Sequence, residues 1–181
     1  MDSLRYIRQS TVHWKMQFSA NQISLGGSRL LTFRQANADD EPFLLVVYGS
    51  TRLEELALTN WDEAQRDAFV QMQFTAQQAH YRQNYPSGEH LIILLDGEAI
   101  GRLYVAEIAA EIRIIDVTIL PEHRNAGIGT PLIRRLMETA AAVGKPLRIY
   151  VESFNRSLQL FERLGFRKID ESGYSYFLEW R

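Results

Sequence analysis

The sequence predicts an α/β protein of the α+β kind, with one mixed sheet and helices on its faces. Three features carry that reading. Asp96-Gly97 lies between two strand-like runs, Leu91 to Leu95 and Glu98 to Ala106. It is a two-residue turn whose positive φ angles match the twist of a tight antiparallel hairpin. Helical periodicities interrupt a β meander upstream of it, and strand and helix patterns alternate as β-α-β-α-β-β downstream.

Taken in order, Val12, Trp14, Met16 and Phe18 alternate with His13, Lys15 and Gln17. This period of two predicts a half-buried strand in an N-terminal β extension over residues 1–28. The strand should pair with a sheet edge, in the same chain or in a homodimer, because exposed apolar edges aggregate. Gly26-Gly27-Ser28 allows a turn, and residues 29–181 form the main domain. Leu30 to Gln35 reads as a strand, and Asn37-Ala38-Asp39-Asp40 suits entry to a helix near Pro42. Beyond Tyr48-Gly49-Ser50 comes a short helix. Asn60-Trp61-Asp62-Glu63 is a capping-box-like start, after which Trp61, Ala64, Ala68, Met72 and Ala76 recur as the apolar stripe of a long helix ending at Tyr85-Pro86. After the hairpin, Ile112 to Leu120 is a strand, and Leu132, Ile133, Leu136, Met137 and Ala140 form one face of a helix that Gly144-Lys145-Pro146 ends. Leu147 to Val151 is the next strand, followed by a helix from about Asn155 to Leu164 that Gly165 caps. Phe166 to Asp170 and Tyr174 to Trp180 close the chain as strands.

Composition narrows the function classes. The chain has 181 residues, 46% hydrophobic and 23% charged, and 20 basic against 22 acidic side chains give −2. That is an ordinary globular balance, sized for one domain of roughly 150 residues with an appendage. With a pI near 6.1 there is no overall basic field for nucleic acid, so anion binding must be local. The absence of Cys excludes disulfides, thiolate metal sites and a cysteine nucleophile, and fits the cytoplasm. No apolar stretch reaches membrane-spanning length, so no membrane association is expected. His13, His80, His90 and His123 lack metal-ligand spacing, which predicts no metal site.

Pro121-Glu122-His123-Arg124-Asn125-Ala126-Gly127-Ile128-Gly129-Thr130 joins a strand to a helix start. Glycines there let backbone approach an anion, which the unpaired N–H groups and positive end of the helix then hold. Arg124, Arg134 and Arg135 add local positive charge. A P-loop is excluded because Thr130-Pro131, not Lys and Ser or Thr, follows Gly129. A dinucleotide fingerprint is excluded because Leu132 occupies the third Gly position and the hairpin contradicts a parallel βαβ setting. Pro131 removes a donor in a turn where it is mostly unpaired anyway.

Arg124-x-x-Gly127-x-Gly129 after an apolar strand, with Asn155-Arg156-Ser157 and Phe161-Glu162-Arg163-Leu164-Gly165-Phe166 downstream, resembles the GNAT superfamily of N-acetyltransferases. The resemblance implies a central, mostly antiparallel sheet with helices on both faces. It implies acetyl-coenzyme A as donor, its pyrophosphate held by the amides of Asn125, Ala126, Gly127, Ile128, Gly129 and Thr130, with Arg124 beside it. It further implies that Val117, Thr118 and Ile119 lie on a strand that splays from its neighbour and holds the pantetheine arm, and that Asn155 contacts the same arm. Tyr81 and Tyr85, at the end of the long helix, would line a pocket for a small-molecule or peptide amine.

An alkyl ammonium near pKa 10.4 must lose a proton before attacking a thioester, and the carbonyl oxygen gains charge that a fixed N–H can hold. Asp116 and Glu152 are the candidate bases, on or just after central strands, with Glu111 a third carboxylate that a solvated strand end would also explain. Many family members place a Tyr four residues before the Gly-Phe pair as an acid for the thiolate. This chain has Phe161, which fits core packing and cannot donate. Direct N-acetyl transfer to a primary amine is the leading expectation. The alternatives are a non-catalytic acyl-coenzyme A binding or regulatory module, and an acetyltransferase of protein N-termini or lysines.

Overall fold

The computed structural model of the chain describes residues 22–181, so the strand expected at Val12 to Phe18 lies outside the described residues. The strands are β1 (Ile23–Ser24), β2 (Leu30–Gln35), β3 (Glu89–Leu95), β4 (Glu98–Ile108), β5 (Glu111–Ile119), β6 (Leu147–Glu152), β7 (Arg167–Ser172) and β8 (Ser175–Trp180). They form one sheet in the order β1-β2-β3-β4-β5-β6-β8-β7. Each described neighbour pair is antiparallel except β5 with β6, which the helical crossover between them makes parallel. Asp96 (φ 53°) and Gly97 (φ 90°) form the predicted turn of the β3–β4 hairpin.

The helices are α1 (Glu41–Gly49), α2 (Leu53–Leu56), α3 (Glu63–Asn84), α4 (Gly129–Ala142) and α5 (Leu158–Arg163). α4 lays Leu132, Ile133, Leu136 and Ala140 on one sheet face against Leu103, Val105, Ile112, Ile114, Leu147 and Ile149. Burying each large aliphatic side chain there contributes about 1.5–3 kcal/mol. On the other face α1 and α3 cover Ile92 with Leu44, Tyr48 and Phe74. The turn into α1 is fixed by Asp40, which accepts from Arg34 at 2.6 and 2.7 Å and from the Asn37 amide at 2.8 Å.

The entries to two helices and the face of a third differ from the sequence reading, besides shifts of a residue or two at strand ends. α5 starts at Leu158, because the Asn155 side chain accepts from the Ser157 amide at 2.9 Å and holds those residues in a turn. A 3-10 turn over Ala38–Asp40 precedes α1. The start of α3 is the expected capping box, Asp62 with Gln65, but its predicted apolar stripe faces outward. Met72 is 57% exposed and Trp61 38%, while Phe74 and Gln78 are buried. The helix is turned because its inward side meets polar groups on the sheet: Gln77 accepts from Arg102 and Tyr81 donates to Asp116, which alanines could not do.

Candidate active site

The site begins where the parallel pair parts. β5 pairs with β6 only at Ile112–Leu147, Arg113–Arg148 and Ile114–Ile149, yet β5 continues to Ile119 and β6 to Glu152. On its other edge β5 stays paired with β4 through Gly101–Ile119. The Leu120 amide donates to the Ile100 carbonyl at 2.9 Å. By the alternation of an antiparallel ladder, Thr118 and Asp116 then spend their backbone groups on β4, while those of Val117 and Ile119 point into the opening. Thr118 contributes its hydroxyl elsewhere.

The loop after β5 turns through Asn125 (φ 59°) and Gly127 (φ 78°) into α4, whose N-terminus has no side-chain cap. Its first amides are therefore free for an anion. A Cβ on Gly127 would meet nothing within 4 Å, so the approach to the backbone is open. Arg124 braces this loop: its Nε donates to the Ile119 carbonyl at 2.8 Å and an Nη to Ser50 Oγ at 3.4 Å. Arg29 donates to the Ala126 carbonyl at 3.2 Å, and Arg163 to Thr130 Oγ1 at 3.4 Å. Arg135, expected to serve the loop, is engaged by Glu138 instead.

A bulge at Ile115 determines what faces α3. Tyr104 pairs with Asp116 but Val105 with Ile114, so one residue of β5 is extra. Parity flips there. Ile112 and Ile114 face α4, and Asp116 and Thr118 emerge on the α3 side. Asp116 accepts from Arg102 at 2.5 Å, from the Tyr81 hydroxyl at 3.1 Å and from Thr118 Oγ1 at 2.9 Å. Arg102, 1% exposed, also donates to Gln77 at 2.9 Å and lies over the Tyr48 ring. Burial, and next the Asp116 charge, push the Tyr81 phenol well above its ordinary value.

Beside this cluster a cleft of about 310 Å³ is lined by Gln78, Tyr81, Arg82 and Tyr85 of the α3 end, and by His90 and Tyr104. Tyr104 donates to the Tyr85 carbonyl at 2.7 Å. Burial, and then Arg102, hold His90 down at about 4, so it is neutral near pH 7. A larger groove of about 880 Å³ where α1, α2 and α3 meet is lined by no sequence-predicted site residue.

Glu152 stands at the open end of β6, half-buried, and by alternation with Val151 shares the α3 side with Asp116. Arg52 lies within its field. Glu111 is neither solvated nor free: it is 4% exposed and bound by Arg113 and Arg148. Charge pairing explains its burial. Phe161 is 1% exposed and packs edge-on against Phe166. Asn155 is exposed, with its side-chain oxygen committed to Ser157. Among the described residues no group of three His, Cys, Asp or Glu is placed to hold a metal, and no helix is long and apolar enough to cross a membrane.

Residues 52–166, more than half the chain, match the model of the acetyltransferase (GNAT) family. The chain belongs to this family. Its donor is acetyl-coenzyme A, and its members are acyltransferases. Among solved structures, the PaiA N-acetyltransferase of Thermoplasma acidophilum in complex with coenzyme A is similar at 18% identity and TM-score 0.62, over 82% of this chain and 97% of that one. An acetyltransferase from Thermus thermophilus matches at 19% and 0.58, over 83% and 96%. A GNAT-family acetyltransferase from Staphylococcus aureus matches at 13% and 0.56, over 82% and 97%. These likenesses show the GNAT fold. No curated protein matches the chain.

Arg102, Gln77, Gln78, His90 and Tyr104 were missed in the sequence. Arg102 alternates with apolar neighbours on β4, a pattern that reads as a solvated outer face. Only the packing of α1 and α3 over that face buries it.

Proposed function

We propose that this chain transfers an acetyl group from acetyl-coenzyme A directly to the primary amine of a small molecule or peptide. The observation that carries this is the open edge of β5 at Val117 and Ile119, continuous with an uncapped helix start. Bound there, acetyl-coenzyme A would supply the acetyl group as an activated thioester. The amides from Asn125 to Thr130 would hold its pyrophosphate. Val117 and Ile119 would bond the pantetheine arm, and a β5 N–H would hold the charge that develops on the carbonyl oxygen. Asn155 would contribute its remaining amide N–H groups. Arg124 acts by tying the loop to β5. Glu152 takes the ammonium proton through water, since it faces the opening and has no side-chain hydrogen bond among the described residues. Asp116 is a positioning residue, because three donors, Arg102 among them, already claim its oxygens. Without disulfides or thiol chemistry, the enzyme suits the cytoplasm.

Calorimetry should show acetyl-coenzyme A binding below millimolar concentration, and amines should release free thiol. Glu152→Gln should lower kcat by roughly 10²- to 10⁴-fold with donor affinity retained. Absence of binding would overturn the reading. The buried Phe161 favours one alternative, a non-catalytic acyl-coenzyme A binding module. Binding without thiol release across polyamines, amino acids and peptides would select it.

A further inference from the structure

The cleft at the end of α3 carries a chemical preference of its own. Its charged wall is Arg82, and no carboxylate lines it. Asp116, one residue behind Tyr81, is closed off by Arg102, Tyr81 and Thr118. Two polar groups of the lining are buried without a hydrogen-bond partner: Gln78 Nε2, on a side chain of a residue only 9% exposed, and His90 Nε2. Leaving a buried amide donor unpaired is costly, so a ligand that supplies an acceptor atom gains what the empty cleft lacks. Behind the wall, Arg102 is neutralised by Asp116, which leaves Arg82 as the charge that the lining presents. A polycation entering here would meet Arg82 and no carboxylate in the lining. Tyr81, Tyr85 and Tyr104 supply the apolar flank, and the volume, about 310 Å³, suits a molecule at the small end of ordinary ligands.

We infer that this cleft holds the carboxylate end of the acceptor, which makes the substrate class a small amino carboxylate rather than a polyamine. The inference rests on the acetyl-transfer reading for the amine end, but the carboxylate subsite is built by this chain's own residues. Gln78 donates its amide N–H and Arg82 its guanidinium to the carboxylate, while the amine of the same molecule lies toward Val117. An amino carboxamide of the same shape keeps an acceptor oxygen but loses the charge that Arg82 reads.

The test sets α- and ω-amino carboxylates against their matching carboxamides and against linear polyamines, each with acetyl-coenzyme A and thiol release as readout. The carboxylates should exceed the carboxamides in kcat/KM by about ten- to hundredfold, the scale of one hydrogen bond to a charged group. Arg82→Glu, at an exposed position that does not threaten folding, should raise KM for the carboxylates by a similar factor and leave KM for acetyl-coenzyme A unchanged. Gln78→Leu should act in the same direction. Equal use of carboxamides, or preference for polyamines, would overturn the inference. Calorimetry of the same amino carboxylates with the protein alone separates the two readings. Binding that Arg82→Glu abolishes, without acetyl transfer, would support the subsite and sink the catalytic reading. Transfer to amines with no binding dependence on the carboxylate would do the reverse.

Discussion

Arg102 carries its charge to a place where 1% of its side chain is exposed, and Asp116 at 2.5 Å is the anion that makes this tenable. Removing one partner of such a pair leaves a buried charge uncompensated, which costs about 3–5 kcal/mol. Asp116→Asn should therefore lower the urea midpoint of unfolding by that equivalent, and Asp116→Leu combined with Arg102→Met should recover much of it. If instead Asp116→Asn unfolds with the wild type and loses only turnover, Asp116 is a base after all. Residue identity made Asp116 visible in the sequence as a carboxylate among apolar neighbours. Its partner was not visible, since the pairing spans two strands.

Among the elements, β5 decides most. Its first half is an ordinary parallel partner of β6, its second half an open edge, and the bulge at Ile115 lies between them. Alternation counted along the sequence from Ile112 would place Asp116 under α4, because no local rule announces one extra residue in a strand. Gly101 shows how closely β4 follows β5. A Cβ on it would lie 2.2 Å from the Thr118 carbonyl oxygen, which is backbone and cannot swing aside. Gly101→Ala should consequently cost about 3 kcal/mol, at the upper end for overpacking, by prying the two strands apart where β5 opens. Denaturant unfolding measures this, and a change of a few tenths would mean that β4 and β5 adjust freely. The loop from Arg124 to Thr130 was legible by contrast, because its glycines, arginine and helix start are contiguous.

Taken whole, the molecule couples its stability to protons through His90. Burial, and next Arg102, hold that imidazole at about 4 against 6.5 when free, so as pH falls the unfolded chain takes up its proton first. Stability should be full above about pH 6.5 and fall by at most about 3 kcal/mol as pH drops toward 4, flattening below. Asp40 and Glu179, held low in the fold chiefly by Arg34 and by Arg148 with Arg181, lose their contributions at more acid pH still. Chemical denaturation at pH 7 and pH 4.5, for wild type and His90→Phe, checks this. A slope that survives the substitution would assign the effect elsewhere.

By itself the sequence determined the order of elements from β2 onward, the Asp96-Gly97 hairpin, the glycine-bearing turn from β5 into α4 and the family resemblance. Each of these is written in contiguous residues whose backbone preferences act locally. Only the tertiary structure decided which side of the sheet Asp116 takes, that Arg102 is buried, that α3 turns its glutamines and tyrosine inward, and that β5 parts from β6. Those outcomes depend on strand register and on what packs over each face, and partners that far apart in the chain leave no mark on one another's neighbouring residues.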